Sequence, residues 1–69
     1  MKLSARNVLK GRVVNVTKGA VNSVVELEIA PGIRLTAVIT QEAVSELGLA
    51  KGKDAYAVIK ASNVLIAVE

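Results

Sequence analysis

The chain has 69 residues and is 52% hydrophobic, yet Tyr56 is its only aromatic residue, so the apolar content is almost entirely Val, Ala, Ile and Leu. It has no Cys and no His, which excludes a disulfide framework, a thiolate metal site and the commonest acid–base side chain. Charged residues make up 22%, close to average, and the net charge of +3 favours anionic partners. A chain this short is expected to form one domain over residues 1–69, and at this size only about 60% of the unfolded surface is hidden on folding. A composition more than half apolar exceeds what so small a core can absorb, so subunits are expected to bury the surplus against each other. No apolar run approaches the ~20 residues of a membrane span. No charged segment precedes an apolar leader either, so a cytoplasmic location is expected.

Residues 8–16 (VLKGRVVNV) predict a strand, with Gly11 marking a bulge or tight bend. Lys18-Gly19 predicts a turn. Residues 21–29 then alternate: Val21, Ser23, Val25, Leu27 and Ile29 share one face, and Asn22, Val24, Glu26 and Glu28 the other. This period of two is that of a half-buried strand. Pro31-Gly32 is a turn signal, and residues 33–39 alternate again with Ile33, Leu35, Ala37 and Ile39 on one face. A helix follows, with Thr40 as N-cap, Gln41 and Glu42 in its first turn, Val44 and Leu47 on its buried side and Gly48 as its stop. A Lys51-Gly52-Lys53 turn leads to a strand over 54–60, Ala61-Ser62-Asn63 is a break, and residues 64–68 (VLIAV) predict a last strand.

The order β-β-β-α-β-β predicts an all-β fold with one short helix, a five-stranded OB-like barrel. The last two strands are apolar on both faces, whereas a small barrel buries only its inner face. A neighbouring subunit is the natural cover for the outer one.

The chemistry available is narrow. The carboxylates Glu26, Glu28, Glu42, Glu46, Asp54 and Glu69 read as solvated positions, with no oxygen cluster for a cation, and the scattered glycines form no phosphate loop. No metal ligand set and no catalytic group stand out, so the chain is not expected to be an enzyme. Single-stranded nucleic acid needs a basic groove with stacking aromatics. Arg6, Lys10, Arg12 and Arg34 can contact phosphates, but Tyr56 alone is no stacking platform. A nucleic-acid-binding OB-like module therefore stands as the alternative reading, beside a purely structural assembly domain. Hydrogen-bond donors remain. Ser4, Arg6 and Asn7 cluster before the first strand, and Lys60, Ser62 and Asn63 before the last. Charged and hydroxyl donors with turn amides can cradle a tetrahedral oxyanion without any cation. The same residues also have plainer uses: Ser4 as a turn cap, Arg6 as solvated charge, Lys60 as a strand end.

At these residues the sequence resembles a known family. Ser4-Ala5-Arg6-Asn7, then Leu9-Lys10-Gly11 and Val13-Val14, resemble the start of the molybdopterin-binding-protein (Mop) or molbindin domain, a TOBE-type OB-like domain. The likeness continues through Val25–Ile29, Ile39-Thr40, Val44–Gly48 and Ala57-Val58-Ile59-Lys60-Ala61, over essentially the whole chain. The SARN start and the VIKA stretch carry it together; neither half alone would. The resemblance implies a cytoplasmic binder of molybdate and tungstate, serving molybdenum storage or homeostasis. It also implies a homo-oligomer, a hexamer built as a trimer of dimers, with the oxyanion between subunits. By resemblance Ser4, Ala5 (through its amide) and Arg6 form the oxyanion-binding N-terminal motif, Lys60 is its cationic partner and Ala61 offers an amide. Thr40 matches a hydroxyl position of the related molybdate-responsive regulator. That regulator and several relatives carry a Ser where this chain has Ala43, so either Ser62 or a backbone amide replaces one donor or the site is weaker. A second oxyanion site is implied near the three-fold axis, assigned to the 19–23 turn with Gly19, Val21 and Asn22.

Overall fold

A computed structural model describes residues 1–69. Strand β1 spans Asn7–Thr17, β2 Asn22–Ala30 and β3 Ile33–Thr40; helix α1 spans Gln41–Leu47, β4 spans Asp54–Ile59, and a 3-10 turn occupies Ala61–Asn63. The strands form one antiparallel sheet in the order β3-β2-β1-β4.

The long first strand organises the molecule. Its first half pairs with β4, from Asn7↔Ile59 to Arg12↔Asp54, and its second half with β2, from Arg12↔Glu28 to Thr17↔Val24. A bulge between Val13 and Asn15 marks the second half, two residues beyond the Gly11 expected to carry it. At the bulge the Val13 N–H donates to the Lys53 carbonyl and the Gly52 N–H to the Val13 carbonyl, both at 2.8 Å, so the strand kinks without losing its bonds. Gly11 serves close approach instead: a Cβ there would stand 2.8 Å from both the Glu28 carbonyl oxygen and Ile29 Cδ1.

Inward alternation holds in β2, where Ser23, Val25 and Leu27 are buried. Val21, expected on that face, lies before the strand and is exposed, as is Ile33 at the start of β3. The core is thin: Val13, Val25, Leu27 and Val44 are its buried apolar residues, and they gather where α1 closes one end of the sheet. The helix forms as its caps require. The Thr40 hydroxyl accepts from the Ala43 N–H at 3.0 Å, and Gly48 takes the left-handed conformation (φ 62°). Lys53 Nζ donates to the Leu47 and Gly48 carbonyls at 2.7 and 3.3 Å, a positive charge on the free carbonyl end of the helix. Val44 is buried as expected, but Leu47 is exposed at the lip of an open groove.

The five-stranded barrel is not formed; the sheet has four strands. Residues 64–68 leave the 3-10 turn extended at Val64 (φ −92°, ψ 124°) but join no ladder, and Leu65, Ile66 and Val68 are 92%, 86% and 92% exposed. A strand exists through its neighbour's carbonyls and amides, and no element of the same chain offers them to this segment. The sheet therefore curls into a half-barrel, open along an apolar groove lined by Leu35, Ala37, Ile39, Leu49, Ala55 and Ala57. Tyr56 and Val58 of β4 are exposed, and Ala55, Ala57 and Ile59 on its other face are half-buried.

Candidate functional site

The register of β1 against β4 brings the two donor clusters together. Asn7 pairs with Ile59, so in the antiparallel continuation Arg6 falls opposite Lys60, one step beyond the last rung. Asn7 closes this end: its Nδ2 donates to the Ile59 carbonyl at 3.3 Å, so it clamps the strands instead of joining the free donors. Lys60 is extended (φ −64°, ψ 131°), and the 3-10 turn sets Ala61 and Ser62 directly after it. Ser4, Arg6, Lys60, Ala61 and Ser62 are exposed, and Ala5 is half-buried.

Neither Arg6 nor Lys60 makes an ion pair. The three salt bridges, Lys10–Asp54, Arg12–Glu28 and Arg34–Glu28, lie elsewhere on the sheet at 3.8–3.9 Å. Two cations one step beyond the last rung, neither bonded to a carboxylate, place positive charge at one end of the sheet. Hydroxyls and amides flank them, and every group present is able to donate. The remaining carboxylates form no cluster able to hold a metal ion.

Thr40 lies elsewhere. It pairs with Asn22, beyond the Thr17↔Val24 rung, at the opposite end of β1 from Arg6. The strand from Asn7 to Thr17 has a contour of about 33 Å at ~3.3 Å per residue. Within one chain Thr40 is the helix cap and Ala43 supplies the N–H it accepts. The 19–22 turn sits at this same end. There the Gly19 N–H is directed to Ser23 Oγ at 3.4 Å, and the Val21 carbonyl accepts from the Gln41 N–H at 2.8 Å. Asn22 is exposed with its side chain unbonded. In the sequence Ser23 is one more inward residue of β2 and Gln41 a first-turn residue of the helix. In the fold Ser23 Oγ donates to Gln41 Oε1. The available signal was a hydroxyl on an otherwise apolar strand face, which needs a partner once buried.

No helix is long and apolar enough to cross a membrane. Residues 3–66 match the TOBE domain family. The chain is 49% identical over 69 residues to the probable molybdenum-pterin-binding protein of Haemophilus influenzae, covering 100% of each. Its fold is similar to that of MopII from Clostridium pasteurianum, with a TM-score of 0.90 and 45% identity over 97% of this chain and 100% of that one. It is also similar to the cytoplasmic molybdate-binding protein ModG, solved with molybdate bound, with a TM-score of 0.90 and 52% identity over 94% of this chain and 46% of that one.

Proposed function

Because the chain belongs to the Mop (molbindin) family of TOBE domains, we propose that it binds molybdate and tungstate as intact dianions, for molybdenum storage or homeostasis in the cytoplasm. The observation that supports this reading is the register that ends at Asn7↔Ile59, which leaves Arg6 and Lys60, both free of carboxylate partners, as the next residues of the two strands among hydroxyl and amide donors. Molybdate has four acceptor oxygens and no proton to give at neutral pH, so a site for it needs donors alone. Arg6 supplies a planar fork and Lys60 a point charge. Ser4, the Ala5 and Ala61 amides and Ser62 complete the shell, with Ser62 replacing the hydroxyl absent at Ala43. Sulfate has the same charge and shape, so discrimination falls to cavity size. Phosphate, partly protonated, brings a donor that finds no acceptor. No bond is made or broken; the role is binding, not catalysis.

A homo-oligomer, a hexamer assembled as a trimer of dimers, belongs to the same proposal. Every charged member of the site is exposed in the single chain, whereas tight capture of a dianion calls for a drier pocket. The apolar groove and the unpaired 64–68 segment support a second copy as the missing cover, its backbone completing the fifth strand. Thr40, a strand's length from Arg6, reaches such a site only from another copy. The nucleic-acid reading is not favoured, since Tyr56 remains the one stacking group.

Calorimetric titration with molybdate, tungstate, sulfate and phosphate tests the proposal. It expects heat and saturation with the first two and markedly weaker binding of the others; equal affinity for sulfate refutes it.

A further inference from the structure

The Asn7 side chain ties together the two strand ends that carry the cations. Its Nδ2 donates to the Ile59 carbonyl at 3.3 Å, and this is the one side-chain hydrogen bond between β1 and β4. The bond spans the last rung of the ladder, Asn7↔Ile59, beyond which both chains leave the sheet. End rungs open most readily, because nothing beyond them holds the strands together. Here the end is held twice, by the ladder and by the amide.

The accepting carbonyl matters as much as the donor. It shares a peptide unit with the Lys60 N–H, and that unit is planar and trans, so fixing the carbonyl fixes the plane from which Lys60 departs. Lys60 leaves in extended conformation (φ −64°, ψ 131°), and its own carbonyl accepts from the Asn63 N–H at 2.9 Å, which closes the 3-10 turn. The Val64 N–H adds a longer bond, 3.3 Å, to the Ala61 carbonyl. Lys60, Ala61 and Ser62 thus hang from a peptide that Asn7 holds. On the other strand, Arg6 immediately precedes Asn7. One half-buried residue therefore serves both arms: its backbone carries Arg6, and its side chain grips the peptide that carries Lys60. Only this orientation of the amide works, since an oxygen turned to Ile59 would face another acceptor.

We propose that Asn7 is a positioning residue for the oxyanion: it fixes the separation of the Arg6 and Lys60 arms and so sets the selectivity for molybdate over the smaller sulfate. The proposal rests on the oxyanion reading above and deepens it. Molybdate and sulfate share charge and shape, so a cavity tells them apart only if its donors cannot close in on the smaller ion. Arg6 and Lys60 are long, exposed and without carboxylate partners, so nothing at their tips sets the spacing. Within the chain the rigidity has to come from the strand ends, and Asn7 is the side chain that locks them.

The test is Asn7→Leu in the full chain, which keeps the bulk of the side chain and removes the donor. Calorimetry reads the molybdate and sulfate affinities, thermal unfolding reads stability, and amide hydrogen exchange without anion reads the turn. The expected result is a loss of roughly tenfold in molybdate affinity, about one hydrogen bond's worth. Sulfate loses less or nothing, so the selectivity ratio falls. The thermal midpoint stays within a few degrees of the parent. The Asn63 and Val64 amides, which hold the turn, exchange faster, while those of Val25 and Leu27 in the core keep the parent's rates. A purely structural role would scale both affinities alike. An unchanged molybdate-to-sulfate ratio in a variant of a selective parent therefore overturns the inference, even if both affinities fall, and leaves the oxyanion reading standing. Unaltered exchange at Asn63 and Val64 likewise overturns it. A parent that binds both anions equally overturns the oxyanion reading and the selectivity role with it.

Discussion

Arg6 and Lys60 are the residues just beyond the last rung of β1 and β4, where Asn7 stands opposite Ile59. Their unpaired charges give the first prediction: Arg6→Ala or Lys60→Ala should each weaken molybdate binding at least tenfold by calorimetry. Each leaves a desolvated dianion short of a countercharge, a loss of several kcal/mol for a buried pair. An unchanged affinity removes that residue from the site. The role of Gly11 is steric, and Gly11→Ala forces a methyl against the Glu28 carbonyl. It should destabilise the fold by about 1–3 kcal/mol in urea denaturation. At this scale the sequence was legible in residue type alone: it displayed the Ser4–Arg6 and Lys60–Ser62 donors, and their use as ligands belongs to the proposal. Ser23 and Gln41 were not legible, because their bond joins positions 18 residues apart and depends on the turn of the chain between them. Asn7 was read as a free donor for the same reason, since its acceptor is 52 residues away.

Helix α1 was readable as an element because its signals are local: Thr40 before it, Gly48 after it and Val44 turned inward. Its end has one support that spacing did not reveal, the Lys53 ammonium on the Leu47 and Gly48 carbonyls. Lys53→Met keeps most of the side-chain bulk and removes the charge. A loss of about 0.3–1 kcal/mol in urea denaturation is expected, with a smaller loss at high salt. No salt dependence in the difference would deny the electrostatic role. The strands were legible through their period of two, and β2 buries the side expected of it. The last strand was not, because alternation and β-branching state a preference while a ladder requires a partner. Residues 64–68 have the preference and, in one chain, no partner.

For the whole molecule, the apolar surplus seen in composition has a location. It lines the groove of the half-barrel and continues in Leu65, Ile66 and Val68. Only five of 69 residues are buried, so a single chain of this shape has little core with which to offset its conformational entropy. Ile66→Asp should therefore break the assembly, giving smaller particles by light scattering and a lower thermal midpoint. A variant that keeps the parent's mass would show that the segment lies outside the contact. Thr40, a strand's length from Arg6, links the two proposals: if a copy must bring it, the anion site and the assembly appear together. Native mass spectrometry of the parent protein with and without molybdate tests that link most directly. The account predicts a homo-oligomer, a hexamer, whose mass rises by whole molybdate ions and whose ions are lost when it dissociates. A monomer that retains molybdate would contradict it.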